Sequence, residues 1–232
     1  MPLDDIITLE VGEDENLTKL AVHKTVLCSS SPFFEAACKP EWMKAEDRVI
    51  KLPVDDPVAV KAMVCWTYHN IICISSEMDG HEESDTKDDA MKTPYGLFAK
   101  LFVLGEEYQM PRLRNHAIDA IIHRSEEEDS FAIRINPYVY ADTCDDSLLR
   151  KVLVRLALHL YDKALISRAK NELCGGFIFD LALVSFDYLE NQEESRTIDC
   201  SSPAIGFCGN YHVHTENSSG KCKVLKKYGV DS

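Results

Sequence analysis

The sequence is poor in the patterns that most often announce chemistry. It has no Gly-x-Ser-x-Gly turn, no Gly-rich phosphate loop and no His-Glu-x-x-His pair, which argues against the common hydrolase, nucleotide-binding and zinc-protease frameworks. No apolar run approaches the ~18 residues that a membrane-crossing helix needs. The opening Met-Pro-Leu-Asp-Asp lacks the basic and apolar regions of a signal peptide. Nothing repeats, so a solenoid is not expected. Positive charge is scarce too: 25 Lys and Arg against 39 Asp and Glu leave a net charge of −14, the wrong sign for a broad grip on phosphates. These absences predict a cytoplasmic or nuclear chain with no membrane partner and no general affinity for nucleic acid.

What remains is ordinary globular material. The chain has 232 residues, 45% of them hydrophobic, enough for one large domain or a domain with an extension. Nine cysteines are an odd count, and in a reducing compartment they read as free thiols. Cys28, Cys38, Cys65 and Cys73 lie in apolar segments and are expected to pack as small hydrophobes.

Alternation around Ile7, Leu9 and Val11 predicts a half-buried strand over 5–11, a turn at 12–16 and a return strand over 17–22. A third strand is predicted at 48–52. Asp56 followed by Pro57 has the form of a helix cap and first position, with Val60, Met63, Val64, Tyr68 and Ile71 on the apolar face. Residues 75–93 hold seven acids, two lysines and no Phe, Tyr or Trp, too little apolar surface to order themselves, and predict an exposed acidic loop. Beyond it come a helix from Thr93-Pro94 through Leu97, Leu101 and Leu104 to Tyr108, and another with Leu113, Ala117, Ala120 and Ile121. A third is capped by Ser147 and carries Leu149, Val152, Leu153, Leu156 and Leu160, and a last one spans 177–189 after Gly175-Gly176. Strands in front and helices behind make an α+β fold, a small β-sheet packed on a helical cluster and followed by an all-α extension.

The stretch "AVHKTVLCSSSPFFEAAC" mixes histidine, serines and cysteines, as a nucleophile site would. His23 and Cys28 are five apart across a helix start, which does not bring their side chains together. The structural reading accounts for more positions: Ser31 caps and Pro32 opens a second short helix, and one of Phe33 and Phe34 turns into the core.

"VHKTVLCSSSPFF" together with "RVIKLPVDDPVAVKAMVCWTYHNII" resembles the BTB/POZ domain family over roughly residues 4–122. The marks are the His-Lys pair, the Val-Leu that follows, the Ser-Pro-x-Phe and the Tyr68-His69-Asn70 where the family usually has Tyr-Thr-Gly. The details look like the fungal branch. The resemblance implies a BTB/POZ domain over 1–122, a helical C-terminal extension over 137–190 and a Cys/His-containing tail over 196–232. It implies a non-catalytic module that forms homo-oligomers and recruits other proteins, as an adaptor for a cullin-type ubiquitin ligase or as a transcription-associated scaffold. His23, Leu27, Ser31, Pro32 and Phe34 fall on its structural hallmark, and Asp5 and Lys24 on a charged pocket at the dimer interface. Two departures qualify it. The chain begins almost at the first strand, so strand-swapped dimerisation is not expected. No hydrophobic-x-Glu stands near 68–74, where cullin adaptors usually carry one.

The last segment changes character, with five basic and three acidic residues from Arg196 on. Cys208, His212, His214 and Cys222, with Cys200 as an alternative ligand, supply two thiolates and two imidazoles, a common structural zinc set. On an extended strand the two histidines would face one side. The rival functions use this tail: a zinc-dependent hydrolase, for which no general base is spaced correctly, or a nucleic-acid binder working through "KCKVLKK".

Overall fold

The computed structural model describes residues 5–42, 48–75, 90–130, 133–160, 162–190 and 211–213. Most of the predicted acidic loop, and most of the tail beyond Glu190, lie outside them. The chain divides into two compact units, one of Met1–Gly80 with Lys100–Ala117, the other of His81–Ala99 with Ile118–Ser232.

The first unit is built on a three-stranded sheet, β1 (Ile6–Val11), β2 (Thr18–His23) and β3 (Val49–Leu52), in the order β2-β1-β3. β1 pairs antiparallel with β2, Ile6 opposite His23 and Val11 opposite Thr18, and parallel with β3, Thr8 opposite Val49. The alternation seen in the sequence is the pleat: Ile7, Leu9 and Val11 are buried on one face. Glu10 on the other face pairs with Lys19 at 2.8 Å. Gly12 turns the chain at φ +80, a region that favours glycine.

Two short helices, α1 (Lys24–Ser30) and α2 (Pro32–Ala37), carry the chain from β2 toward β3. Helix α3 (Pro57–His69) follows, with Asp56 Oδ1 accepting from the Ala59 N–H at 2.9 Å. Its buried face is Ala59, Val60, Ala62, Met63 and Trp66. Tyr68 and Ile71 were expected on that face and are exposed instead. Asn70 ends the helix in the left-handed region at φ 55, and its N–H reaches the Trp66 carbonyl at 2.7 Å. Ile71 therefore lies past the helix, out of register with the apolar stripe.

α4 (Pro94–Glu107) and α5 (Pro111–Glu128) come next. Residues 90–93, read from sequence as loop, begin this packing: Ala90 and Thr93 are buried, and the Thr93 hydroxyl donates to the Ala90 carbonyl at 2.6 Å. A side chain at Gly96 would put its Cβ 2.5 Å from Met91 Cα, so only glycine lets the chain approach so closely.

In the second unit α6 (Asn136–Asp142), α7 (Leu148–Leu160), the short α8 (Lys163–Arg168) and α9 (Gly175–Glu190) follow. Leu149, Val152, Leu153 and Leu156 of α7 are buried, as their spacing predicts. The glycine pair lies inside α9, at its first turn, rather than before it. The fold is α+β. Among the described residues no helix is long and apolar enough to cross a membrane.

Candidate interaction site

The residues of the "SSSPFF" stretch form a corner with Tyr108. Ser31, at 1% exposure, accepts from the Phe34 N–H at 3.1 Å and donates its own proton to the Tyr108 carbonyl at 2.6 Å. One hydroxyl thus caps α2 and ties it to the end of α4. Phe34 turns inward, at 0% exposure, and Phe33 stays at 37%. Both rings meet Tyr108, at 4.8 and 5.0 Å between centroids. The Tyr108 hydroxyl donates to Asp55. Burial first, then the bond and the charge of Asp55, push the Tyr108 hydroxyl pKa up. The same burial raises Asp55, against the pull of the Tyr108 bond. Asp56 beside it moves the other way: burial would raise it, but Lys100 at 2.8 Å and the Ala59 N–H outweigh burial and hold it below the usual carboxylate range. Leu27 is fully buried and Pro32 opens α2, so the hallmark stretch holds structure.

His23 shows a partner that sequence spacing could not reveal. The Tyr68 hydroxyl accepts the His23 backbone N–H at 2.9 Å and lies 2.7 Å from His23 Nδ1. The tautomer of His23 decides which of the ring and the hydroxyl donates in that second bond, and either way the ring is held against the end of α3. Two motif residues 45 apart in sequence are one contact.

At the start of β1, the Lys24 N–H bonds the Asp5 carbonyl at 2.8 Å, which brings the two expected pocket residues together through the backbone. The ion pair there joins Asp5 Oδ1 to Arg48 Nη1 at 2.6 Å. Arg48 was not singled out from sequence. Its φ of 42 and its place one residue before β3 aim it at Asp5, and neither is legible in a single chain. Ile6 stands exposed beside this group. Asp5, Ile6, Lys24 and Arg48 make an accessible charged and apolar cluster at one end of the sheet.

In the second unit Arg150 is 8% exposed. It donates to Asp145 at 2.7 Å, to the Thr143 hydroxyl at 3.0 Å and to the Thr143 and Tyr140 carbonyls, with its guanidinium 4.5 Å from the centroid of the Tyr140 ring. The Tyr140 hydroxyl in turn donates to Asp180 on α9 at 2.7 Å. A groove of about 410 Å³ runs between α7 and α9, with Val154, Leu158, Leu183 and Val184 among its lining. Sequence reading gave the apolar spacing of α7 but not this polar hub.

Of the proposed zinc ligands only His212 is among the described residues; Cys200, Cys208, His214 and Cys222 lie outside them. His212 Nε2 is 2.8 Å from Asp119 Oδ1, with both side chains largely buried. Among the described residues no group of three or more His, Cys, Asp or Glu gathers as a metal site.

The comparison with known families decides what the corner belongs to. The BTB/POZ domain matches residues 7–125, just over half of the chain. The chain belongs to the BTB/POZ family. The match takes in the sheet, the Ser31–Phe34 corner and the His23–Tyr68 contact. A BTB/POZ domain is typically a non-catalytic module for protein–protein interaction and oligomerisation. No curated protein matches the chain.

Proposed function

We propose that this BTB/POZ protein has no catalytic activity of its own, that it self-associates through the Asp5, Ile6, Lys24 and Arg48 end of its sheet, and that it recruits other proteins. The match over residues 7–125 is the observation that carries the reading. The exposed cluster supports its location, since a charged rim beside an accessible apolar residue is the anatomy of a protein interface. Its wider role is that of an adaptor for a cullin-type ubiquitin ligase or of a transcription-associated scaffold. The domains proposed are a BTB/POZ domain over 1–122, a helical extension over 137–190 and a tail over 196–232, acting in the cytoplasm or nucleus. Two differently tagged copies of the full chain test the self-association. Wild-type copies should capture one another, and Asp5→Arg in both should weaken capture by repelling Arg48 and Lys24. Undiminished capture by the variant would move the interface elsewhere.

A structural zinc held by Cys208, His212, His214 and Cys222 is the second reading. The carboxylate behind His212 favours it, because metal-bound histidines commonly donate their other ring N–H to such a group. With four protein ligands the ion would have no open position and would serve structure alone. About one zinc per purified chain is expected, and metal-free protein of the same thermal stability would defeat it.

A further inference from the structure

We propose that Cys65 and Cys73 form a peroxide-sensitive dithiol, a modification site that closes reversibly into an intrachain disulfide. Their sulfurs lie 3.0 Å apart, closer than ordinary contact, with both thiols free. A disulfide needs about 2.05 Å, so a shift of roughly 1 Å joins them. The fold produces the approach. Cys65 sits on α3, and Asn70 in its left-handed conformation reverses the chain after His69. That turn returns Cys73 to the helix it has just left. Ile72 is buried as the anchor of the returning segment.

Access divides the labour. Cys73 is exposed and Cys65 half-buried. The hydrogen bond with Cys73, then burial, pushes the Cys65 thiol up to about 11, so Cys73 is the sulfur that meets oxidant first. The Cys73 thiolate attacks hydrogen peroxide: the S–O bond forms, the O–O bond breaks, and the departing hydroxide takes up the proton the thiol had released and leaves as water. Cys65 then attacks the sulfenic sulfur as its proton is released, the S–S bond forms, and the Cys73 hydroxyl departs as a second water. Two thiols and one peroxide give one disulfide and two waters. A dithiol reductant reverses the step by thiol exchange.

The fold carries its own control. Cys28 and Cys38 also interact, but Cys38 is buried, and burial with the Cys28 bond pushes its thiol up to about 12. That pair should stay reduced. Cys144 is exposed and has no thiol partner among the described residues, so it should not link to Cys28, Cys38, Cys65 or Cys73.

The full-length chain treated with limiting hydrogen peroxide, alkylated and digested without reductant tests this. The account expects a peptide linking Cys65 to Cys73 as the main intrachain product, lost on adding dithiothreitol. Cys65→Ser should abolish the link and raise dimedone trapping of Cys73 several-fold, because the sulfenic acid then has no resolving thiol. Cys73→Ser, at an exposed position that leaves the core untouched, should leave Cys65 unlabelled. The proposal is overturned if no 65–73 link forms, if Cys28–Cys38 links first, or if dimedone labels Cys73 equally with and without Cys65.

Discussion

The Ser31 corner and the Arg150 hub solve the same problem, holding backbone groups that helix ends leave open, in opposite ways. At the corner the solution is local. Ser31 caps the N–H three residues ahead, and Pro32 follows where a missing N–H costs nothing, so a string of four residues announces the structure. At the hub the open groups are carbonyls of the last turn and C-cap of α6, and the group that serves them comes from the next helix, ten and seven residues away. Ser147, which has the look of a cap, leaves its buried hydroxyl without a partner among the described residues. Capping by the neighbour in sequence is legible; capping by a side chain that arrives through packing is not.

The comparison is broken most severely by removing the ring that anchors the corner. Phe34→Ala deletes a fully buried aromatic side chain and its stacking on Tyr108, and should cost about 3–5 kcal/mol in urea unfolding. Phe33→Ala, on the exposed neighbour, should cost far less; equal losses would mean that the wrong ring has been assigned to the core.

Arg150→Ala should follow, at about 2–3 kcal/mol, since it strips charged hydrogen bonds from two part-buried carbonyls. Asp145 is fully exposed on its side chain and needs no replacement partner, so Asp145→Ala should be nearly silent. A large loss in Asp145→Ala would show that the ion pair, rather than carbonyl capping, holds the hub.

Sharpening the cap rule is a smaller matter. Ser31→Ala should cost about 1–2 kcal/mol through the lost cap and the Tyr108 bond, whereas Ser147→Ala should be neutral or slightly stabilising, because it removes an unpaired buried hydroxyl. Matching losses at the two serines would erase the distinction between a true cap and an apparent one.

The acid dependence of the paired aspartates is the smallest effect. Asp56 is held low in the fold, so its contribution is present above the unfolded value near ~3.9 and is lost as pH falls below it toward the folded value. Asp55 is raised, so its contribution favours the fold at low pH and fades as pH rises through its folded value. Asp56→Asn should flatten the acid-side loss by under about 1 kcal/mol, given its partial exposure, and Asp55→Asn should steepen it. Identical pH profiles for the two variants would contradict the assignment of Lys100 to Asp56 and Tyr108 to Asp55.

Much of the fold was readable because its signals are short-range: the pleat of Ile7, Leu9 and Val11, the Asp56-Pro57 cap, the spacing along α4, α5 and α7. The family mark around His23 and Tyr68 was readable as a pattern, but not as a single hydrogen-bonded contact, because the two meet only when β2 ends against α3. Arg48 escaped for the same reason. Its identity as the partner of Asp5 depends on β3 lying parallel to β1, a pairing set by the α1–α2 crossover and not by nearby residues. The end of α3 was misjudged at Ile71, since the apolar rhythm runs on after Asn70 has already turned the chain.

The central claim is that the Asp5 end of the sheet makes this BTB/POZ chain self-associate, and sedimentation equilibrium of the full-length protein tests it most directly. Across the micromolar range, on the order of weak-interface affinities, the account predicts a dimer or larger species whose dissociation is eased by Asp5→Arg; a clean monomer at tens of micromolar would contradict it.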